Sequence, residues 1–143
     1  SLAKKYGISK FVVNEAYNKF KNFVLNNIKV NPYVKSFLKH NKDVKKIIMS
    51  EDNKEMIELK LKKLHLDKYF NVIISSDDTN EMKPSMKYFS FLKQNPKKCL
   101  VIGDNFDKDL IIAKKLGMKT YLYNSEDKRA NCCFNSFKEL LRI

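Results

Sequence analysis

Three short stretches hold the side chains with chemistry to offer. Ser50 closes an apolar run that begins near Val44. Ser75, Ser76, Asp77 and Asp78 follow Val72-Ile73-Ile74, and Gly103-Asp104 follows Cys99-Leu100-Val101-Ile102, with Asp107 and Asp109 just beyond. Lys83, directly before Pro84, lies between the second and third of these runs. A hydroxyl, a lysine and a group of carboxylates are tools for handling a phosphoryl group beside a divalent cation. Mg²⁺ takes hard oxygen ligands, usually one or two carboxylates completed by water and substrate phosphate. A phosphoryl group needs its spread negative charge met by a cation and by hydroxyl or amide donors. Gly103 is expected to let the backbone turn tightly, so that Asp104 points inward.

Singly, these residues have plainer readings. Ser50 serves equally to cap a following helix, and Lys83 is one lysine among many. Asp109 suits the first turn of a helix, where the dipole favours an acid. Asp107 and Lys108 read as helix-start surface, and Ser75 to Asp78 as loop. The functional reading therefore depends on whether the fold brings the residues to one place.

The elements that would do so alternate. Ser9 is placed to cap a helix through about Asn27, with Phe11, Val12, Ala16, Phe20, Phe23 and Val24 recurring at helical spacing. Asn31-Pro32 offers a second helix start, proline being favoured at the first position. Strands are expected at Val44–Met49, Asn71–Ser75, Cys99–Ile102 and Lys119–Tyr123. Between them fall a helix capped by Asp52 or Asn53, one opened by Lys83-Pro84, and one over Asp107–Leu116 closed by Gly117. A last helix is expected after Asn135 or Ser136. Short strands separated by helices imply crossover units and a parallel sheet. Continuously apolar strands suit a sheet covered on both faces. In such sheets ligands bind beyond the carboxyl ends of the strands, where Ser50, Asp104 and the neighbouring acids would sit.

The chain has 143 residues, 43% hydrophobic and 31% charged, with three Gly and three Pro. That excludes collagen-like and natively disordered classes and suits one compact domain with a real core. No apolar run approaches the roughly 20 residues of a membrane span, and no signal-peptide core opens the sequence. The expectation is a cytoplasmic protein without a membrane partner. The net charge of +13 raises nucleic acid as a partner. However, only Arg129 and Arg142 are arginines, and the lysines are scattered. This reads as a solvated basic surface and argues against nucleic acid. Cys99, Cys132 and Cys133 lack C-x-x-C spacing, and His40 and His65 lack metal-site neighbours, so neither zinc nor redox chemistry is indicated.

The order of these motifs resembles the haloacid dehalogenase (HAD) superfamily of hydrolases, in its phosphatase-rich branch with a small helical cap. Ser50 matches the family's second motif, whose hydroxyl hydrogen-bonds the transferring phosphoryl group. Lys83-Pro84-Ser85-Met86-Lys87-Tyr88-Phe89 resembles the third, whose lysine neutralises phosphoryl group and nucleophile; Met86 replaces the usual second proline. Gly103-Asp104 with Asp109 matches the fourth, whose carboxylates hold Mg²⁺. The likeness spans about residues 32 to 124. It implies a Rossmann-like, three-layer α/β core with a parallel sheet over 31–143 and a remnant of helical cap over 1–30. Ser50 and Lys83 would bind phosphate and serve catalysis, and Asp104 and Asp109 would bind metal. The reaction implied is Mg²⁺-dependent hydrolysis of a small phosphorylated metabolite through an aspartyl phosphate.

One motif is missing. The family's first motif, an Asp-x-Asp pair supplying nucleophile and general acid/base at the end of a central strand, does not precede Ser50. The only Asp-x-Asp here is Asp107-Lys108-Asp109. In the family that strand lies between those expected here at Val44–Met49 and Cys99–Ile102. The expectation is that it lies upstream of residue 1, or is filled by another chain in a strand-swapped or homo-oligomeric assembly. These residues alone should then be inactive. An alternative is a non-catalytic basic binding module of the same fold for nucleic acid or a phosphorylated partner. A receiver domain of a signalling relay shares the sheet, the Mg²⁺ site and the lysine, but not the motif order.

Overall fold

The computed structural model describes residues 2–142. After a short helix α1 (Leu2–Lys5) comes α2 (Lys10–Asn27), begun where the Ser9 side chain accepts from the Val12 amide. No residue of α2 is fully buried. It leans on the later helix α4 (Lys54–Lys63) through polar contacts. The Tyr17 hydroxyl donates to Glu55 at 3.3 Å and accepts from Asn53 Nδ2 at 3.1 Å, and Lys21 pairs with Glu55 at 3.4 Å. The next helix, α3, is Val34–His40 and not a Pro32 start. Tyr33 takes a left-handed φ of 66° before it, so Asn31-Pro32 forms the turn ahead of the helix.

Strand β1 (Ile47–Met49) leads into α4, whose cap is Asn53 accepting from the Met56 amide at 2.8 Å. Strand β2 (Val72–Ile74) lies parallel to β1, with Ile47 opposite Val72 and Met49 opposite Ile74. A single helical turn, α5 (Ser76–Thr79), follows directly where loop was expected. Helix α6 (Met86–Ser90) begins beyond Lys83-Pro84, capped by Ser85 accepting from the Lys87 amide. The Lys83–Pro84 pair, joined by a cis peptide bond, is therefore a bend ahead of the helix and not its first turn.

Strand β3 (Leu100–Gly103) is followed by a π-turn, Phe106–Leu110, running into α7 (Ile111–Lys115). Strand β4 (Lys119–Tyr123) falls on its expected residues, parallel to β3. A further strand, β5 (Cys132–Phe134), joins β4 in parallel, and a 3₁₀ turn, Glu139–Arg142, stands in place of the expected last helix. Cys99, Cys132 and Cys133 are free. Among the described residues no helix is long and apolar enough to cross a membrane.

The strands form two sheets, β1-β2 and β3-β4-β5. Their cores are correspondingly divided. Leu38, Ile57, Leu61 and Leu66 pack with Ile48 and Ile73, while Phe106, Leu110 and Leu122 pack with Val101. The expectation of strands covered on both faces is met only in part. All three residues of β1 are half-buried, and Leu100 of β3 is 43% exposed. Among the described residues β1 pairs only with β2 and β3 only with β4, which leaves each strand one bare edge and less cover. An aromatic group joins the parts elsewhere: Phe37 of α3 meets Phe137 at 5.5 Å, and Phe137 stands edge-on to Phe134 at 5.2 Å.

Candidate active site

The carboxyl ends of β1 and β3 are linked by one residue. Lys83 donates its backbone N–H to Glu51 Oε1 at 2.6 Å, immediately past β1. Its ammonium donates to Asp109 Oδ1 at 2.8 Å, in the π-turn past β3. The two partners are only 18% and 17% exposed, so this is a charge-assisted bond in a largely dry setting. The Lys83 Nζ also stands 5.9 Å from the ring centre of Tyr88, a fully buried side chain whose hydroxyl donates to the Glu81 carbonyl at 2.8 Å. Lys83 is thus held from several sides, with its head at the strand ends.

Asp109 is a hub. Besides Lys83, its Oδ2 accepts from the Asn105 amide at 3.2 Å, and its own amide donates to the Asn105 carbonyl at 2.8 Å. Its closeness to β3 explains Gly103. A Cβ at position 103 would lie 2.5 Å from the Asp109 Cβ and 3.0 Å from its Oδ2. Glycine is needed here for close approach, and not for the unusual backbone turn expected from the sequence. A π-turn at this point, an uncommon element that favours functional sites, sets Asp109 back against the strand.

Asp104 is exposed, and among the described residues no protein donor occupies its carboxylate. It lines a cleft with Asn105, Asp107, Leu122, Ser125 and Asp127. Ser50 is half-buried at the end of β1: its amide donates to the Ile74 carbonyl at 3.0 Å, and its Oγ accepts from the Asp52 amide at 3.2 Å. That hydroxyl proton remains available to an outside acceptor. The structure therefore joins Lys83 and Asp109 directly and ties the Lys83 backbone to Glu51, the residue after Ser50; among the described residues neither Ser50 nor Asp104 hydrogen-bonds to that pair.

The donor set suits a divalent cation only in part. Among the described residues no group of three His, Cys, Asp or Glu side chains is arranged to hold a metal. Mg²⁺ needs fewer protein ligands when water and phosphate complete its shell. Asp104 fits that role as a free carboxylate, whereas Asp109 would have to share an oxygen already engaged by Lys83 or Asn105.

The acids after β2 have structural work. Asp78 accepts from both the Ser75 amide and the Ser75 hydroxyl at 2.8 Å, closing a capping box around the fully buried Ser75. Those bonds, with the nearby Lys54 charge, hold its carboxyl below the usual value of 3.8. Asp77 accepts from the Lys54 amide at the first turn of α4. Three supporting residues escaped the sequence reading: Glu51, Tyr88 and Arg129. Arg129 had a signal, being one of two arginines against a background of lysine.

A family model described as haloacid dehalogenase-like hydrolase matches residues 1–123. Among curated proteins the chain is similar to phosphoglycolate phosphatase of Aquifex aeolicus, 35% identical over 95 residues, which is 64% of this chain and 44% of that protein. It is also similar to pyrophosphatase PpaX of Bacillus cereus, 30% identical over 77 residues, 51% of this chain and 35% of that one. The chain spans less than half the length of these relatives. Among solved structures, a HAD phosphatase from Thermococcus onnurineus matches 99% of this chain and 83% of its own at a TM-score of 0.72 and 26% identity. The HAD-hydrolase YfnB from Bacillus subtilis, bound to magnesium, matches 99% and 68% at 0.78 and 22% identity, a likeness of fold.

Proposed function

This chain belongs to the haloacid dehalogenase-like hydrolase family, and from that premise we propose that it is the phosphate- and cation-binding part of a phosphatase for a small phosphorylated metabolite. The observation that carries the reading is the placement of Lys83, bound to Glu51 beyond β1 and to Asp109 beyond β3. Its ammonium meets the charge that spreads over the phosphoryl oxygens, and the Ser50 hydroxyl donates to one of them. Asp104 would hold Mg²⁺, with Asp109 as a shared second carboxylate or as the anchor of Lys83. When bound, the ion neutralises phosphoryl charge that Lys83 leaves unmet. Because the Lys83–Asp109 bond exists before substrate arrives, the cation is already oriented and less reorganisation is needed.

The nucleophile, in this reading, is a carboxylate from outside these 143 residues. In-line attack on phosphorus would transfer the phosphoryl group to it and release the alcohol, and water would then free phosphate. The bare edges of β1 and β3 support this, since one further parallel strand would pair with both and join the divided core. Residues 1–30 we read as part of a helical cap on the 31–143 core, attached through Tyr17 and Lys21. Relatives bearing phosphatase names support the reaction class. Titration of inorganic phosphate with Mg²⁺ present tests the site, with saturable binding lost in Lys83→Met as the expected result, and phosphate release from a panel of small phosphomonoesters tests where the nucleophile lies. These residues alone should release none, and turnover abolished by Asp104→Ala would place the nucleophile within them and overturn that part of the account.

A further inference from the structure

We propose that Arg129 is the positioning residue of the turn carrying Asp104 and Asp109, a role that rests on the phosphatase reading for its use but not for its geometry. Arg129 lies in the β4–β5 connection and reaches back to the π-turn. Its Nη1 donates to Asp107 Oδ1 at 2.9 Å. Its Nε and Nη2 grip both oxygens of Asp127 at 2.6 to 3.2 Å, and its backbone N–H donates to Asp127 Oδ1 at 2.9 Å. The guanidinium carbon sits over the ring of Phe106, 4.2 Å from its centre; Phe106 is a buried residue at the start of the π-turn that packs with Leu110 and Leu122. One side chain therefore fixes two successive residues, Phe106 and Asp107, three positions or fewer from both Asp104 and Asp109.

Isolated surface ion pairs contribute little. This one combines a two-pronged carboxylate grip, a second carboxylate and a stacked ring, which only the planar guanidinium supplies together. In a chain whose other basic residues are nearly all lysine, arginine stands where fork and stack coincide. Asp107 and Asp127 also line the same cleft as Asp104, so Arg129 neutralises the wall behind the proposed ion site.

That double role gives the test a sign. Removing a positive charge beside an acidic cleft would by electrostatics alone tighten a divalent cation. Losing the position of Asp104 would loosen it. Amide hydrogen exchange and Mn²⁺-induced line broadening are to be measured on the wild-type chain, Arg129→Ala and Arg129→Lys. The expected result for both variants is roughly tenfold faster exchange at the Lys108 and Asp109 amides, which bond Asn105. Exchange at Ser50 and Met118 should stay unchanged, and Mn²⁺ binding at Asp104 should weaken at least threefold. Unchanged exchange in the turn, a uniform rise across the chain, tighter Mn²⁺ binding, or full rescue by lysine would each overturn the proposal. If the wild-type chain shows no Mn²⁺ broadening at Asp104, the cation reading fails, and the local exchange rates alone uphold or refute the clamp.

Discussion

Gly103→Ala probes the site through a single methyl group. The new Cβ would stand 2.5 Å from the Asp109 Cβ, 3.0 Å from its Oδ2 and 3.1 Å from its Cγ. Carbon atoms rest at about 3.5 to 4.0 Å, so the overlap is about 1 Å or more against the first of these. Asp109 has little room to retreat, because its neighbour Leu110 and the later Ala113 are fully buried. A shift of that size would carry the carboxylate beyond reach of Lys83, now at 2.8 Å. Overpacking of this kind costs about 1–3 kcal/mol, and leaving a half-buried charged group without its partner falls in a similar range of about 1–3 kcal/mol. The two are alternative outlets for one strain, so the expected destabilisation is about 2 kcal/mol. Urea unfolding is the assay, and with a slope of about 2 kcal/mol per molar the midpoint should fall by about 1 M. Gly117→Ala is the control. That glycine has φ +81° and no atom within 4 Å of an added Cβ. Its penalty is conformational, about 1–2 kcal/mol, and leaves the NMR signals of Lys83 and Asp109 in place. If Gly103→Ala matches the wild type in stability and keeps the Lys83–Asp109 bond, the close-approach argument is wrong.

Other consequences follow from the same geometry. Lys83→Met should remove phosphate binding and destabilise by about 1–3 kcal/mol, since Asp109 loses its cation in a partly dry setting; calorimetric phosphate titration and urea unfolding read the two effects. Asp104→Asn should weaken Mn²⁺ binding at least tenfold while leaving the unfolding midpoint unchanged, because the exposed carboxylate has no protein donor to lose. Asp127 should titrate at about 2 rather than 3.8, held down first by the Arg129 side chain and then by its backbone N–H. A depressed carboxylate stabilises the fold above the unfolded value and loses that contribution as pH falls through about 2. Carbon-detected titration of Asp127 should therefore show its midpoint near 2 in the wild type and a return toward 3.8 in Arg129→Ala.

Much of this arrangement is visible in the residue order. Ser9 and Asn53 announce their helices because short polar side chains satisfy free amides, and Lys119–Tyr123 reads as a strand because β-branched and aromatic residues lie together. What escapes depends on long-range partners. β5 is only three residues, and it forms because β4 offers an edge and Asn131 ties back to Thr120, accepting from both its amide and its hydroxyl at 3.0 Å. Ser75 to Asp78 reads as polar loop until its capping box is seen, and Pro32 signals a helix that Tyr33 delays. At the site, residue types and their order pointed to Ser50, Lys83, Asp104 and Asp109. The Lys83–Asp109 bond, the anchoring by Glu51 and the reach of Arg129 join residues 22 to 32 positions apart, which local pattern does not encode.

The central claim is that these strand ends bind a phosphoryl group through Ser50 and Lys83 beside an ion on Asp104. Titrating inorganic phosphate into the ¹⁵N-labelled chain with Mg²⁺ present tests it directly. The account predicts saturable shifts confined to Ser50, Lys83 and the Gly103–Asp109 turn, lost in Lys83→Met and weakened in Asp104→Asn. No shift at those residues, or identical binding by both variants, would contradict it.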